Sequence, residues 1–129
     1  MTNREIYTLA LRLIAETGEG EDTADYEERA GYLLSAYCSE VHDLAKKLCL
    51  KEGLPFTDDD PLYRPLDHAF PYPAVLAGPG AYYLAAMLIL DEDPDLSDNL
   101  FGKYCDVITR ILSGLPMQNE QIIDRYGFV

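Results

Sequence analysis

Positive charge is scarce in this chain. Ten Lys and Arg stand against 23 Asp and Glu, a net charge of −13 over 129 residues, and no cation occurs between Arg64 and Lys103. Such a surface repels nucleic acid phosphates instead of displacing their counterions, which argues against sequence-specific DNA or RNA binding. Cysteine is sparse too, with Cys38, Cys49 and Cys105 in no C-x-x-C pair. An odd count behind a polar Met1-Thr2-Asn3-Arg4 start, which does not read as a secretory leader, points to a reducing cytoplasm. The longest apolar run, Ala81 to Leu90, would span only about 15 Å as a helix, half a bilayer core, so no membrane span is expected. G-x-x-x-x-G-K, G-x-S-x-G and H-E-x-x-H are all missing, as are internal repeats and low-complexity segments.

What is present is an apolar share of 48% with ten tyrosines, enough for one globular domain over residues 1–129. Every long apolar pattern has a period near 3.6 and none alternates strictly, so the chain reads as all-α, a bundle of about four main helices. Its centre is a hairpin. Ala81 to Leu90 is apolar on every face and must be surrounded. After an acidic turn, Asp91 to Asp98, a second arm places Leu100, Tyr104, Ile108, Ile111 and Leu115 on one stripe, with Asp95 or Ser97 as its cap. Gly114 and Pro116 stop that arm. Pro79 is expected where the first arm begins, because its missing N–H costs nothing there.

Thr2 and Glu5 have capping-box spacing and open the first helix, with Ile6, Leu9, Ala10 and Leu13 as its core face, Leu11 and Ile14 widening that stripe towards a second neighbour, and Gly18 and Gly20 as its end. The second helix is the longest, about 42 Å from a cap at Asp22 or Thr23 to Glu52, with Gly53 as its stop. Its first strip is Tyr26, Ala30, Leu33, Tyr37, Val41, Leu44 and Leu48, and its second is Leu34, Cys38, Ala45 and Cys49. Residues 54–78 form a proline-rich loop anchored by Phe56, Leu62, Tyr63, Leu66, Phe70, Tyr72, Val75 and Leu76, with a short helical turn near Pro73 to Ala77. Residues 117–129 are a short tail. Its Ile122, Ile123, Tyr126 and Phe128 exceed what a solvated end requires and are candidate partner-binding residues.

Candidate chemistry is thin. Asp91, Asp93, Asp95 and Ser97 alternate like the opening of a calcium loop, but Leu96 stands at the glycine position and Gly102 at that of the bidentate Glu, so helix capping is the better reading. Asp58 to Asp60 read as a solvated turn. Cys38 and His42, four apart, have the spacing of a metal pair or a thiolate and its base. Two ligands do not make a site, His68 is stranded in the loop, and all three cysteines fit the core. No metal, cofactor or catalytic residue is expected. The acids also suit the simpler roles of helix-start charge and solubility.

Tyr83-Leu84-Ala85-Ala86 in an apolar helix, an acidic turn, Phe101-x-x-Tyr104 in the next helix and a closing Ile123-Asp124-x-Tyr126-Gly127 together resemble the small all-helical head-tail connector (adaptor) proteins of tailed bacteriophages and prophages. Tyr26-x-x-Arg29-Ala30 and Leu33-Leu34 are similar too, whereas the 54–78 loop has no counterpart. The resemblance implies a non-enzymatic subunit, assembled in the bacterial cytoplasm and carried in the virion. It would self-associate into a ring and join portal to tail-completion proteins. The alternative from another class is an acidic helical adaptor that binds a basic protein or mimics DNA.

Overall fold

The computed structural model describes residues 1–15 and 21–115, with side chains described from 23 onward in the second stretch. These residues form five α-helices: α1 Asn3–Leu13, α2 Glu21–Glu40, α3 His42–Glu52, α4 Ala77–Ile89 and α5 Pro94–Ser113. A 3-10 turn, Ala74–Leu76, leads into α4 where the loop's short helical turn is expected. No strand occurs among the described residues, only an isolated bridge between Thr2 and Ala69. The all-α expectation holds. No described helix is long and apolar enough to cross a membrane.

α4 is the axis. It lies against α1, α2 and α5, and Ala81, Tyr83, Leu84, Ala85, Ala86, Leu88 and Ile89 are all buried, as an all-round apolar helix requires. It begins at Ala77, so Pro79 sits inside the first turn, where its missing N–H is equally harmless. α5 returns alongside, capped by Asp93, whose carboxylate accepts the Leu96 N–H at 3.1 Å, with Pro94 opening the helix. That corrects Asp95 and Ser97 as caps. Ser97 is buried and donates its hydroxyl to the Ala86 carbonyl (2.8 Å), tying the two arms together.

α1 starts as expected, with the Glu5 N–H on Thr2 Oγ1 at 3.3 Å. Two more orphan donors of its first turn, the Asn3 and Arg4 N–H groups, go to the His68 and Leu66 carbonyls at 2.9 and 2.8 Å. The helix ends at Leu13, with Ala15 at φ 62°, before the acidic glycine segment rather than at Gly18 or Gly20, which lie outside the described residues. Its core face keeps the expected Ile6, Ala10, Leu11 and Ile14, adds Tyr7 and leaves out Leu9. Tyr7, Leu11 and Ile14 are buried while Leu9 is 47% exposed. Tyr7 reaches the Thr23 carbonyl with its hydroxyl at 3.4 Å.

The expected single second helix is two. α2 stops at Glu40, Val41 is a turn residue, and α3 runs from His42 to a Gly53 cap at φ 69°, the left-handed conformation that glycine adopts without strain. Tyr72 marks the break. Its hydroxyl points at the Cys38 carbonyl (3.4 Å), the group that an unbroken helix would offer to the His42 N–H. Both apolar strips nevertheless stay covered through the turn, with Leu34, Tyr37, Cys38, Val41, Leu44, Ala45, Leu48 and Cys49 buried and Leu33 partly so.

Candidate functional site

Gly31, Ser35 and Ser39 stand four apart and so share one face of α2. Along that face runs the extended segment from Asp60 to Arg64, in the opposite direction. The Arg64 N–H donates to the Gly31 carbonyl (3.1 Å), the Ser35 hydroxyl to the Pro61 carbonyl, and the Ser39 hydroxyl to the Asp60 carboxylate. The Tyr63 ring lies directly over Gly31, in the space a Cβ there would occupy, and meets Tyr32 edge-on at 4.8 Å between centroids. The proline-rich segment is therefore a strap whose backbone is fastened to α2 on both sides of Leu62 and Tyr63. Leu62, expected as an apolar anchor, is instead 87% exposed. Val75 is also exposed, while Leu66, Phe70, Tyr72 and Leu76 are buried.

The strap continues to the α2–α3 break. His42 Nε2–H donates to Asp58 Oδ1 at 2.8 Å, and Nδ1 lies 3.2 Å from the Tyr72 hydroxyl. Phe56 stacks on Tyr72 (6.0 Å, 14°) and meets the His42 ring edge-on at 5.1 Å. Beside them opens a shallow cleft of about 360 Å³, lined by Ser39, Glu40, His42, Asp43, Asp58 and Asp60. Four carboxylates give it a field that attracts cationic groups and repels phosphates. Asp58 to Asp60 are thus not simply a solvated turn, since two of them hold the strap to α2 and His42.

Cys38 and His42 do not form a pair. The imidazole is engaged with Asp58, Tyr72 and Phe56, while Cys38 is fully buried as part of the core. Burial above all pushes that thiol up to about 11, against the pull of nearby Arg64. A thiol so placed is a poor nucleophile and a poor ligand at neutral pH. Cys49 is buried as well, and burial and then Glu52 raise its thiol. Cys105 is exposed, which corrects its placement in the core: it follows Tyr104 by one residue and so points about 100° away from the stripe that packs. A thiol reagent at pH 8 should accordingly modify Cys105 within minutes. Cys38, with roughly one molecule in a thousand ionised at that pH, should react only on unfolding. Mass spectrometry of the labelled peptides reads the contrast, and equal rates would contradict this placement.

Arg64 is the polar residue that sequence reasoning missed. It is 7% exposed, its guanidinium lies over the Tyr72 ring at 5.9 Å, and its Nε and Nη2 find no hydrogen-bond partner among the described residues. Breaking up a satisfied buried charge is costly, whereas replacing an unsatisfied one by an apolar isostere is neutral or favourable. Arg64→Met is therefore expected to leave the unfolding free energy unchanged or raise it by about 1 kcal/mol in urea titration. A loss above about 3 kcal/mol would show that the guanidinium is held by an acceptor.

The remaining candidates disperse. Asp93 caps α5, Glu92 accepts the Tyr26 hydroxyl at 2.6 and 2.7 Å, and Ser97 turns to α4, so their oxygens do not surround one point. His68 is exposed and joins α1 through its carbonyl. No group of three or more His, Cys, Asp or Glu placed to hold a metal ion occurs among the described residues. Ile122, Ile123, Tyr126 and Phe128 lie outside them. Comparison with protein-family models, with curated proteins and with solved structures returns no match.

Proposed function

We propose that this chain is a structural subunit of a head-tail connector, the adaptor ring that joins portal to tail in a tailed bacteriophage or prophage. The observation that carries the reading is the outer half of α5. This 20-residue helix buries only Ser97, Leu100 and Tyr104; Val107, Ile108, Ile111 and Leu115 are partly covered, and Leu112 is 45% exposed. A surface helix ordinarily covers its whole apolar stripe. One whose outer turns are only partly covered, with Leu112 exposed beside them, directly before a tail carrying Ile122, Ile123, Tyr126 and Phe128, suits a subunit that meets neighbours at that end. The acidic surface suits a protein working beside packaged DNA that must slide past without sticking. The reading carries no enzymatic activity or cofactor, and it places the protein in the virion after assembly in the bacterial cytoplasm.

A second reading draws on the carboxylate-lined cleft at His42: an acidic adaptor for a basic protein, whose complexes dissolve as salt screens them. The two readings part in one experiment. The purified chain is mixed with a phage portal ring and sedimented at low and at high salt. A connector subunit co-sediments at a saturable ratio in both, and deletion of Gln118 to Val129 abolishes that binding while the melting temperature stays put. No portal binding in either salt would refute the connector reading.

A further inference from the structure

Two exposed apolar knobs stand apart along α2 and α3, one at the middle of α2 and one at the end of α3, and they carry opposite charge. The first is the strap tip. Leu62, 87% exposed, and Tyr63, 42% exposed, are held between the Pro61 and Arg64 backbone bonds to α2, with Tyr32 beside them at 58% exposure. Exposed acids flank it: Glu28 one turn away on α2, and Asp59 just ahead in the strap. Of the cations beside it, Arg64 is buried, and Arg29 is engaged with Asp25 (3.4 Å) and the Met87 carbonyl (3.3 Å).

The second knob is the end of α3. Leu50 is 83% exposed and Leu54 46% exposed, and the Leu54 N–H returns to the Cys49 carbonyl at 2.9 Å beyond the Gly53 cap. Lys46 and Lys47 lie one turn before Leu50, on its side of the helix, and Lys51 follows it. Glu52 is the acid on that turn. In a chain with ten Lys and Arg, of which Arg4 is paired and Arg64 buried, three around one exposed leucine are a concentration.

We propose that the acidic strap tip of one copy docks on the basic α3 end of a second copy, in a head-to-tail contact. Both knobs are fastened in place, so little freedom is lost when they meet, which favours association. They cannot satisfy each other within one subunit, because the 18 residues from Tyr32 to Leu50 amount to about 27 Å of helix path. Each copy offers one face of each kind, and an interface built from two different faces repeats until a ring closes or a filament grows. A symmetric pairing of acidic tip with acidic tip is opposed by like charge. The inference rests on the self-association in the connector reading and names the faces that meet.

The test uses the full chain in sedimentation velocity, at concentrations up to roughly millimolar, where even weak association registers. One variant reverses the basic face (Lys46→Glu with Lys47→Glu), another the acidic face (Glu28→Lys with Asp59→Lys). All four side chains are exposed, so melting temperatures should stay at the wild-type value. Each variant alone should weaken self-association tenfold or more, a typical effect of losing a central contact. Their equimolar mixture should restore it, since each then supplies the face the other needs. Leu62→Asp and Leu50→Asp should each act like a reversal. A wild-type chain that stays monomeric, association that survives both reversals, or a mixture that fails to recover overturns the proposal. Portal binding is measured separately. Restoration on mixing without portal binding refutes the connector reading alone, whereas portal binding untouched by the reversals refutes the head-to-tail contact alone.

Discussion

Replacing Tyr37 with alanine is expected to cost about 3–5 kcal/mol, the range for removing a large buried ring. Tyr37 is fully buried where α2, α4 and α5 meet, with Tyr83 at 5.6 Å and Tyr104 at 6.0 Å between ring centroids. Its hydroxyl donates to the Leu76 carbonyl at 2.5 Å, at the entry to α4. Gly80 has no Cβ because the Tyr37 ring occupies that space, leaving Cε2 only 2.8 Å from where the Cβ would be. Tyr37→Phe keeps the ring and leaves the Leu76 carbonyl unpaired, which should cost about 1–3 kcal/mol. Urea unfolding of the two variants separates ring from hydroxyl. Equal losses would show that the hydroxyl matters more than the packing.

Alkaline pH should unfold the protein well before it weakens an average domain of this size. Burial raises the Cys38 thiol from 9.0 to about 11 and the Tyr72 hydroxyl from 10.0 to about 12, and it raises Tyr37 and Tyr104 further still. Each of these groups is neutral when protonated, and the fold favours the neutral form. Their contribution is thus fully present below the unfolded values of 9 to 10 and is lost as pH climbs towards the folded ones. Cys38 alone, displaced by two pH units, accounts for about 2–3 kcal/mol, and a domain of this size has only about 5–15 in all. Stability followed by circular dichroism should be level up to about pH 9 and fall steeply from about 10. Tyr37→Phe and Tyr104→Phe should each soften the fall, and a flat profile to pH 12 would contradict the burial of these groups.

Much of the fold was legible because the signals were local. The ten-residue apolar run could only be a surrounded helix, and Thr2 with Glu5 marked the start of α1. Gly53 marked the end of α3, and Pro73 to Ala77 the turn into α4. What failed depended on distant residues. Both apolar strips of the second helix pass through Val41 without interruption, so nothing near it announces a break that Tyr72 and Asp58 mark from the far side of the chain. The proline count showed that residues 54–78 are irregular, but not that the Leu66 and His68 carbonyls cap α1. Leu9 and Tyr7 lie on opposite faces of α1, and it is Tyr7 that is buried, its hydroxyl on the Thr23 carbonyl. The strap left a faint mark, the small residues Gly31, Ser35 and Ser39 at a spacing of four, which acquires meaning only beside Tyr63 and Pro61.

These features make a rigid scaffold with uncovered work to do at its edges. The core is closed around α4, and its tyrosines tie α2, α4 and α5 into one body. The strap tip, the α3 end and the outer half of α5 keep apolar side chains in water. In a monomer they would be a liability. In the ring subunit proposed above they would be the joints, and the acid-rich remainder would keep unassembled copies apart and off DNA.

The proposed connector function is tested most directly in the particle. Deleting the gene from an inducible prophage and examining the lysate by electron microscopy should show heads filled with DNA, free tails and no joined virions, with joining restored when the purified chain is added back. Intact tailed particles from the deletion strain would contradict the account.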